Sequence, residues 1–378
     1  MDFLSWLGGG FVGTIIPFLF VLTVIVFFHE LGHYLVGRWC GIRVLAFAVG
    51  FGPEIVGFND RHGTRWKLCA IPLGGYVKFL GDENAASVPD HEAVGRMSAA
   101  EREGAFPAKP VWKRAATVAA GPIANFILAI AIFASVAYFN GRFVGDPVIA
   151  EVTAGSPAEA AGLQAGDRIL TADGQEISYF SDLQQHIASR AGVPIALRVE
   201  RAGAPLDLTV VPENRTQTDN FGNEFPMPVI GVVANDQSSS FRTEQVSLGE
   251  ALGYGANQTW FVTERTVSFI GGIFTGTQPS DQIGGPIRIA QVSGQAATYG
   301  FASLLNLAAL LSISIGLLNL LPIPMLDGGH LAFYAYEAVR GKPLGEKAQE
   351  IGFRIGLALV LGLMLFAFWN DLANLYRG

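Results

Sequence analysis

The chain has 378 residues, of which half are apolar and only 15% charged, against about 25% charged in ordinary soluble domains. With a mean hydropathy of +0.37, this speaks against a purely soluble chain and for a membrane protein that carries some soluble mass. A net charge of −7 without a long run of Lys or Arg argues against a nucleic-acid partner, and the only two cysteines, Cys40 and Cys69, cannot build a disulfide framework.

Residues 1–8 include Asp2 but no Lys or Arg, so the basic start of a cleavable signal peptide is missing. The apolar stretch over residues 11–36 is also too long for one. It is expected to remain as a first membrane span, since about 20 mostly apolar residues suffice and its first 18 carry no charge. His29-Glu30-Leu31-Gly32-His33 sits near its end. Two β-type stretches follow, 44–51 and 66–79, separated by polar residues 59–65. Strands beside a membrane need a protein or water-lined setting, so a sheet packed on the membrane core is expected. Residues 115–139 are uncharged and form a second candidate span.

Residues 141–300 read as a soluble insertion. Short β-type runs at 148–152, 168–172, 195–200 and 206–211 alternate with turns at Asp173-Gly174 and Ala202-Gly203, and 183–191 has helical spacing. The segment G-S-P-A-E-A-A-G-L-Q-A-G-D-R-I (155–169) resembles the signature of a PDZ domain. One copy is visible, with its core at about 145–213. Residues 214–240 read as a polar tail with one more strand at 229–233, and 243–270 as an amphipathic helix near the membrane surface. The third span is expected over 301–321, with Asn306, Ser312, Ser314 and Asn319 inside. The fourth, over 351–369, has Arg354 and Trp369 as interface anchors.

The expected architecture is therefore a multi-span α-helical membrane protein with four transmembrane helices, a membrane-associated β-region and an inserted extracytoplasmic PDZ (α+β) domain. Its parts are 1–140 (two spans and the β-loop), 141–240 (the PDZ domain and tail), 241–300 (a connecting segment) and 301–378 (the last two spans). The loop between the first two spans holds 11 Lys or Arg, including Arg38, Arg43, Lys109, Lys113 and Arg114, and the loop between the last two holds Arg340, Lys342 and Lys347. By the positive-inside rule both loops are cytoplasmic, which leaves both termini and the insertion outside.

H-E-L-G-H is the decisive chemical feature. Residues at i and i+4 share a helix face, so His29 and His33 can hold one zinc, and Glu30 beside them can take a proton from the water that zinc activates. Ionisable groups at membrane depth are costly and mark function by default. A third ligand must come from elsewhere. The run N-L-L-P-I-P-M-L-D-G-G-H (319–330) ends the third span and offers two candidates, Asp327 and His330. Asp327 has a structural alternative as the N-cap of a following helix, and His330 has one as a core residue.

H-E-L-G-H together with N-L-L-P-I-P-M-L-D-G-G-H resembles the site-2 protease family of intramembrane zinc proteases. G-P-I-A-N (121–125), G-G-Y-V-K-F (74–79) and G-G-P-I-R-I-A (284–290) extend the likeness over nearly the whole chain, and the PDZ signature points to the regulator-of-sigma-E branch. The resemblance implies a zinc endopeptidase of the bacterial inner membrane, with zinc on His29, His33 and Asp327 and Glu30 as general base. It places Asn319 near the substrate or oxyanion and Asn125 where it shapes the site or holds substrate, with helix–helix hydrogen bonding as the plain alternative for Asn125. It implies as substrates single-span proteins such as an anti-sigma factor, or remnant signal peptides, and a peptide end as a partner for the PDZ domain. The strand at 74–79 would hold unwound substrate by strand addition. One PDZ copy, where relatives of the branch often carry two, bears on substrate access. The rival readings are a non-catalytic PDZ scaffold, which would not need Glu30, and a metal transporter, which would need more ionisable groups across its spans.

Overall fold

The structure is a computed structural model that describes residues 10, 12–82, 96–188, 190–218, 224–234, 241–276 and 284–377. Residue 11 of the expected first span and residues 219–223 and 235–240 of the expected tail lie outside the described residues. Contacts divide the chain into two units, Met1–Val136 with Leu252–Arg377, and Ala137–Ala251.

The first unit opens with helix α1 (Val12–Trp39), whose apolar run needs no partner for its backbone groups in lipid. Strands β1 (Val44–Asn59) and β2 (Arg65–Phe79) follow. Residues Ala46 to Val49 are flanked on one side by Gly75 to Lys78 and on the other by Arg65 to Leu68. The first strand was expected to stop at Phe51. It continues because Ile55, Val56 and Phe58 are strand formers that lie opposite Arg65 to Cys69, on an edge where Pro53 is tolerated. Phe51, Ile55, Val56 and Phe58 are exposed there. The polar turn is tied by Asp60, which accepts from Tyr34 Oη (2.8 Å), Trp66 Nε1 (3.1 Å) and the His62 and Thr64 backbone N–H groups. Burial pushes the Asp60 pKa up, and these hydrogen bonds more than reverse it, holding the carboxylate below its usual range. Helix α2 (Val111–Asn140) completes this half.

The second unit is an α+β insertion. It begins with β3 (Arg142–Gly145), β4 (Ile149–Val152), the short helix α3 (Pro157–Ala160), β5 (Arg168–Ala172), β6 (Gln175–Glu176) and helix α4 (Phe180–Ala188). It ends with β7 (Ile195–Arg201), β8 (Ala204–Val210), β9 (Glu213–Thr218), β10 (Glu224–Val229), β11 (Val232–Ala234) and β12 (Phe241–Glu244). A four-stranded antiparallel sheet runs β6-β5-β7-β8, and β4 pairs with β11, β9 with β10 and β3 with β12. On β7, Ile195, Leu197 and Val199 alternate inward, joining Ile149, Ile169, Leu183, Ile187 and Val210 in the core. The anticipated turns form with positive φ at Asp173 and Ala202 before their glycines. The single strand expected over 229–233 is two strands instead, because buried Ile230 and Gly231, at φ 82°, turn the chain between them.

The chain then returns to the first unit through α5 (Leu248–Thr275), α6 (Pro286–Thr298), α7 (Phe301–Leu320), α8 (Asp327–Arg340) and α9 (Glu346–Arg377). Where one amphipathic helix was expected there are two, α5 and α6. Ser247 and Glu250 cap the start of α5 reciprocally, through Ser247 N–H to Glu250 Oε2 at 2.8 Å and Glu250 N–H to Ser247 Oγ at 3.4 Å. The free N–H groups opening α6 are met by Asp371 of α9, from Gly285 (2.8 Å), Ile287 (3.0 Å) and Arg288 (3.2 Å). Among the described residues four helices, α1, α2, α7 and the stretch Lys347–Ala373 of α9, are long and apolar enough to cross a membrane. Val21, Ile25, Ala129, Phe133, Ala308 and Ile313 pack between α1, α2 and α7. Tyr34, Val44, Phe47, Val77, Phe79, Val118 and Tyr334 fasten the β-region to the helices.

Candidate active site

His29 and His33 lie one turn apart on α1, with their Nε2 atoms 3.2 Å apart. The third group arrives from the opposite end of the sequence. Helix α7 stops at Leu320, since Pro322 and Pro324 cannot continue it, and Met325 takes a positive φ of 93°. Helix α8 then starts at Asp327. This turn is so tight that a Cβ on Gly328 would lie 2.3 Å from the carbonyl oxygens of Leu320 and Leu321. The N-cap alternative for Asp327 is not what forms: Leu326 takes that position and no side chain caps the helix. Asp327 instead aims Oδ2 at the histidines, 3.2 Å from His29 Nε2 and 3.6 Å from His33 Nε2.

This trio fits a bound zinc. A tetrahedron with metal–nitrogen and metal–oxygen bonds of about 2.0–2.1 Å has edges of about 3.3–3.4 Å, close to the three separations observed. Asp327 Oδ2 is buried and has no hydrogen-bond donor of its own among the described residues, and buried polar atoms without partners call for an explanation. His330, the other sequence candidate, stands outside the trio, buried with its ring 5.5 Å from that of Phe353.

The surroundings complete the site. Helix α2 passes so close that a Cβ on Gly121 would lie 2.2 Å from His33 Nε2 and 2.9 Å from His29 Cε1; only glycine leaves room for both rings. The Thr117 carbonyl accepts from His33 Nδ1 at 2.9 Å, which leaves Nε2 as that ring's free ligand atom. Glu30 shares the cavity wall with Val77 of β2. Gly75 is so close that a Cβ there would lie 3.2 Å from Glu30 Cγ. A cavity opens here, lined by His29, Glu30, His33, Gly75, Tyr76, Val77, Asn319, Met325, Asp327 and His330, among others. Asn319 thus faces the same space as Glu30. Asn125 does not line the cavity: it is fully buried behind it, with Nδ2 3.3 Å from His29 Nδ1. Sequence reasoning missed the Thr117 carbonyl and Met325. Backbone groups carry no residue signature, though the Gly121-Pro122 pair inside a span hinted at a close approach.

Comparison with known proteins bears on the family of the chain. Residues 17–363 match the model of peptidase family M50. The chain is 54% identical to Putative zinc metalloprotease Atu1380 of Agrobacterium fabrum, over 97% of both chains. It is 42% identical to Metalloprotease MmpA of Caulobacter vibrioides, over 96% of both. The PDZ domain of an SdrC-like protein of Listeria monocytogenes is 21% identical, with 26% of this chain and 90% of that chain covered and a TM-score of 0.19. The family match spans the two motifs that build the site, and on that ground the chain belongs to peptidase family M50, the site-2 protease family, and is a zinc metalloprotease of membranes.

Proposed function

We propose that this protease hydrolyses peptide bonds of single-span membrane proteins within or beside the bilayer, at the site built by His29, Glu30, His33 and Asp327. The convergence of His29 Nε2, His33 Nε2 and Asp327 Oδ2 from two distant parts of the chain carries this reading. Zinc held by these three supplies a water acidified towards neutral pH and a Lewis acid for the scissile carbonyl. Glu30, adjacent in sequence to one ligand and facing the cavity, takes the proton of the attacking water and passes it to the leaving amine. Asn319, a neutral amide on the cavity wall, donates to the oxygen that gains charge.

A helical substrate hides its carbonyls, so it must unwind before cleavage. Strand β2 supports a route, because its Gly75-to-Val77 segment runs beside Glu30, where an extended peptide could be held by strand addition. The exposed apolar side chains of Phe51, Ile55, Val56 and Phe58 suit contact with lipid at the tip of the same β-region. The basic loops support an orientation with the catalytic motifs towards the cytoplasm and the insertion outside, in a bacterial inner membrane. A membrane-bound anti-sigma factor or a remnant signal peptide fits these demands as substrate, with the inserted unit filtering or binding an outside peptide end.

The test is metal content and cleavage together. His29→Ala, His33→Ala and Asp327→Ala should each lose stoichiometric zinc and cleavage of a single-span reporter. A variant of any of the three that kept both would remove that residue from the ligand set.

A further inference from the structure

We infer that Asn125 is a positioning residue for the metal centre, whose side-chain carbonyl accepts the Nδ1–H of His29 and so presents Nε2 to the metal. The inference rests on the reading of His29 as a ligand and assigns Asn125 a task other than touching substrate.

Three observations carry it. Thr117, Gly121 and Asn125 are spaced i, i+4, i+8 on α2 and so form one stripe along the helix, and that stripe faces both imidazoles. At one end, the Thr117 carbonyl takes the Nδ1–H of His33 at 2.9 Å. In the middle, Gly121 admits both rings. At the other end, the Asn125 amide lies 3.3 Å from His29 Nδ1. The two histidines therefore meet the same helix in the same way, one through a backbone carbonyl and the other through a side-chain amide.

The second observation is a proton count. A neutral imidazole that gives Nε2 to a metal carries its single hydrogen on Nδ1. Nδ1 is then a donor and needs an acceptor. The amide of Asn125 turned with Nδ2 towards Nδ1 would set donor against donor, while its Oδ1 stands buried with no hydrogen-bond partner among the described residues. Half a turn about the amide bond to Cβ exchanges the two ends within nearly the same volume. It places Oδ1 against Nδ1–H, which completes the carbonyl–histidine–metal relay that such centres use to fix ring orientation.

The third observation concerns the alternatives. Asn125 is 0% exposed and not among the residues that line the cavity, which favours His29 over a substrate as the partner of its side chain. The hydrogen bond that ties α2 to α7 here uses the Asn125 backbone oxygen, which accepts from Ser312 Oγ at 2.9 Å, and leaves the side chain free for His29.

The experiment measures zinc affinity of the full-length protein in detergent by chelator competition, for wild type, Asn125→Asp, Asn125→Leu and His29→Ala, with the melting temperature of each metal-free form. Asn125→Asp supplies acceptors only and should bind zinc at least as tightly as wild type. Asn125→Leu should bind about 10- to 100-fold more weakly, with a metal-free melting temperature near that of the metal-free wild type. Should the leucine variant not fold, the aspartate variant decides alone, since a role for Asn125 as donor to His29 predicts weaker binding there. Weakened zinc in Asn125→Asp, or unchanged zinc in a folded Asn125→Leu, would overturn the inference. Unchanged zinc in His29→Ala would instead overturn the ligand assignment beneath it.

Discussion

At the scale of single residues, the site is decided by what is missing as much as by what is present. Gly121 has no side chain where two imidazoles need space, so Gly121→Val should displace His33 and lower zinc occupancy more than about tenfold, a loss on the scale of supporting-shell changes, measurable by metal analysis of the purified protein. Asn319 should act in the transition state: Asn319→Ala is expected to lower kcat by about 10²–10³ with little change in KM, as for loss of one oxyanion donor. An equal rise in KM at constant kcat would reassign it to ground-state binding. The proposed ligands His29 and His33 and the proposed base Glu30 lie within five consecutive letters, and i and i+4 share a helix face whatever the rest of the chain does. On the residues alone Asp327 was one of two candidates with His330, and the family resemblance pointed to Asp327; the tight turn around Gly328 that aims it at the histidines leaves no periodic trace. Asn125 was visible as a polar residue in a span, but whether it faced substrate or a ligand depended on which side of α2 meets α1.

At the scale of elements, the four spans were readable because lipid demands long uncharged helices, and their lengths follow from the bilayer. Helix α6 was not readable. Its first turn is capped from the far end of the chain by Asp371, a tertiary contact that local pattern cannot carry. Removing that acceptor in Asp371→Ala should cost about 1–2 kcal/mol, the range for lost N-caps, and should appear as faster hydrogen exchange in Ile287 and Arg288. In the insertion, Asp167 has a fully buried side chain and meets Arg201 through two bonds of 2.7 Å. Burial raises its pKa, and the pairing with Arg201 and the Gln164 backbone overcomes this, so the folded pKa lies below the usual carboxylate range. A carboxylate depressed on folding stabilises above its unfolded pKa of about 3.9, and the contribution is lost as pH falls through the folded value. Acid unfolding of the insertion should therefore set in below about pH 4, and Asp167→Asn should lower its melting temperature by about 5–10 °C at neutral pH while flattening that acid limb. An unchanged acid limb would show that other carboxylates govern it.

At the scale of the whole molecule, two motifs nearly 300 residues apart become one site because α1, α2 and α7 share a core, with the β-region fastened alongside. The insertion differs in the sequence by its change from uninterrupted apolar runs to short strands and turns, while the turn at Gly231 that splits the strand expected over 229–233 carried no such pattern. The central claim is that Glu30 moves the proton while His29, His33 and Asp327 hold the metal. Cleavage of a single-span reporter by purified wild type and by Glu30→Gln, each with its zinc measured, tests it most directly. The account predicts about one zinc in both and a fall in the cleavage rate of at least about 10²–10⁴ in the variant; cleavage at the wild-type rate by a zinc-loaded Glu30→Gln would contradict it.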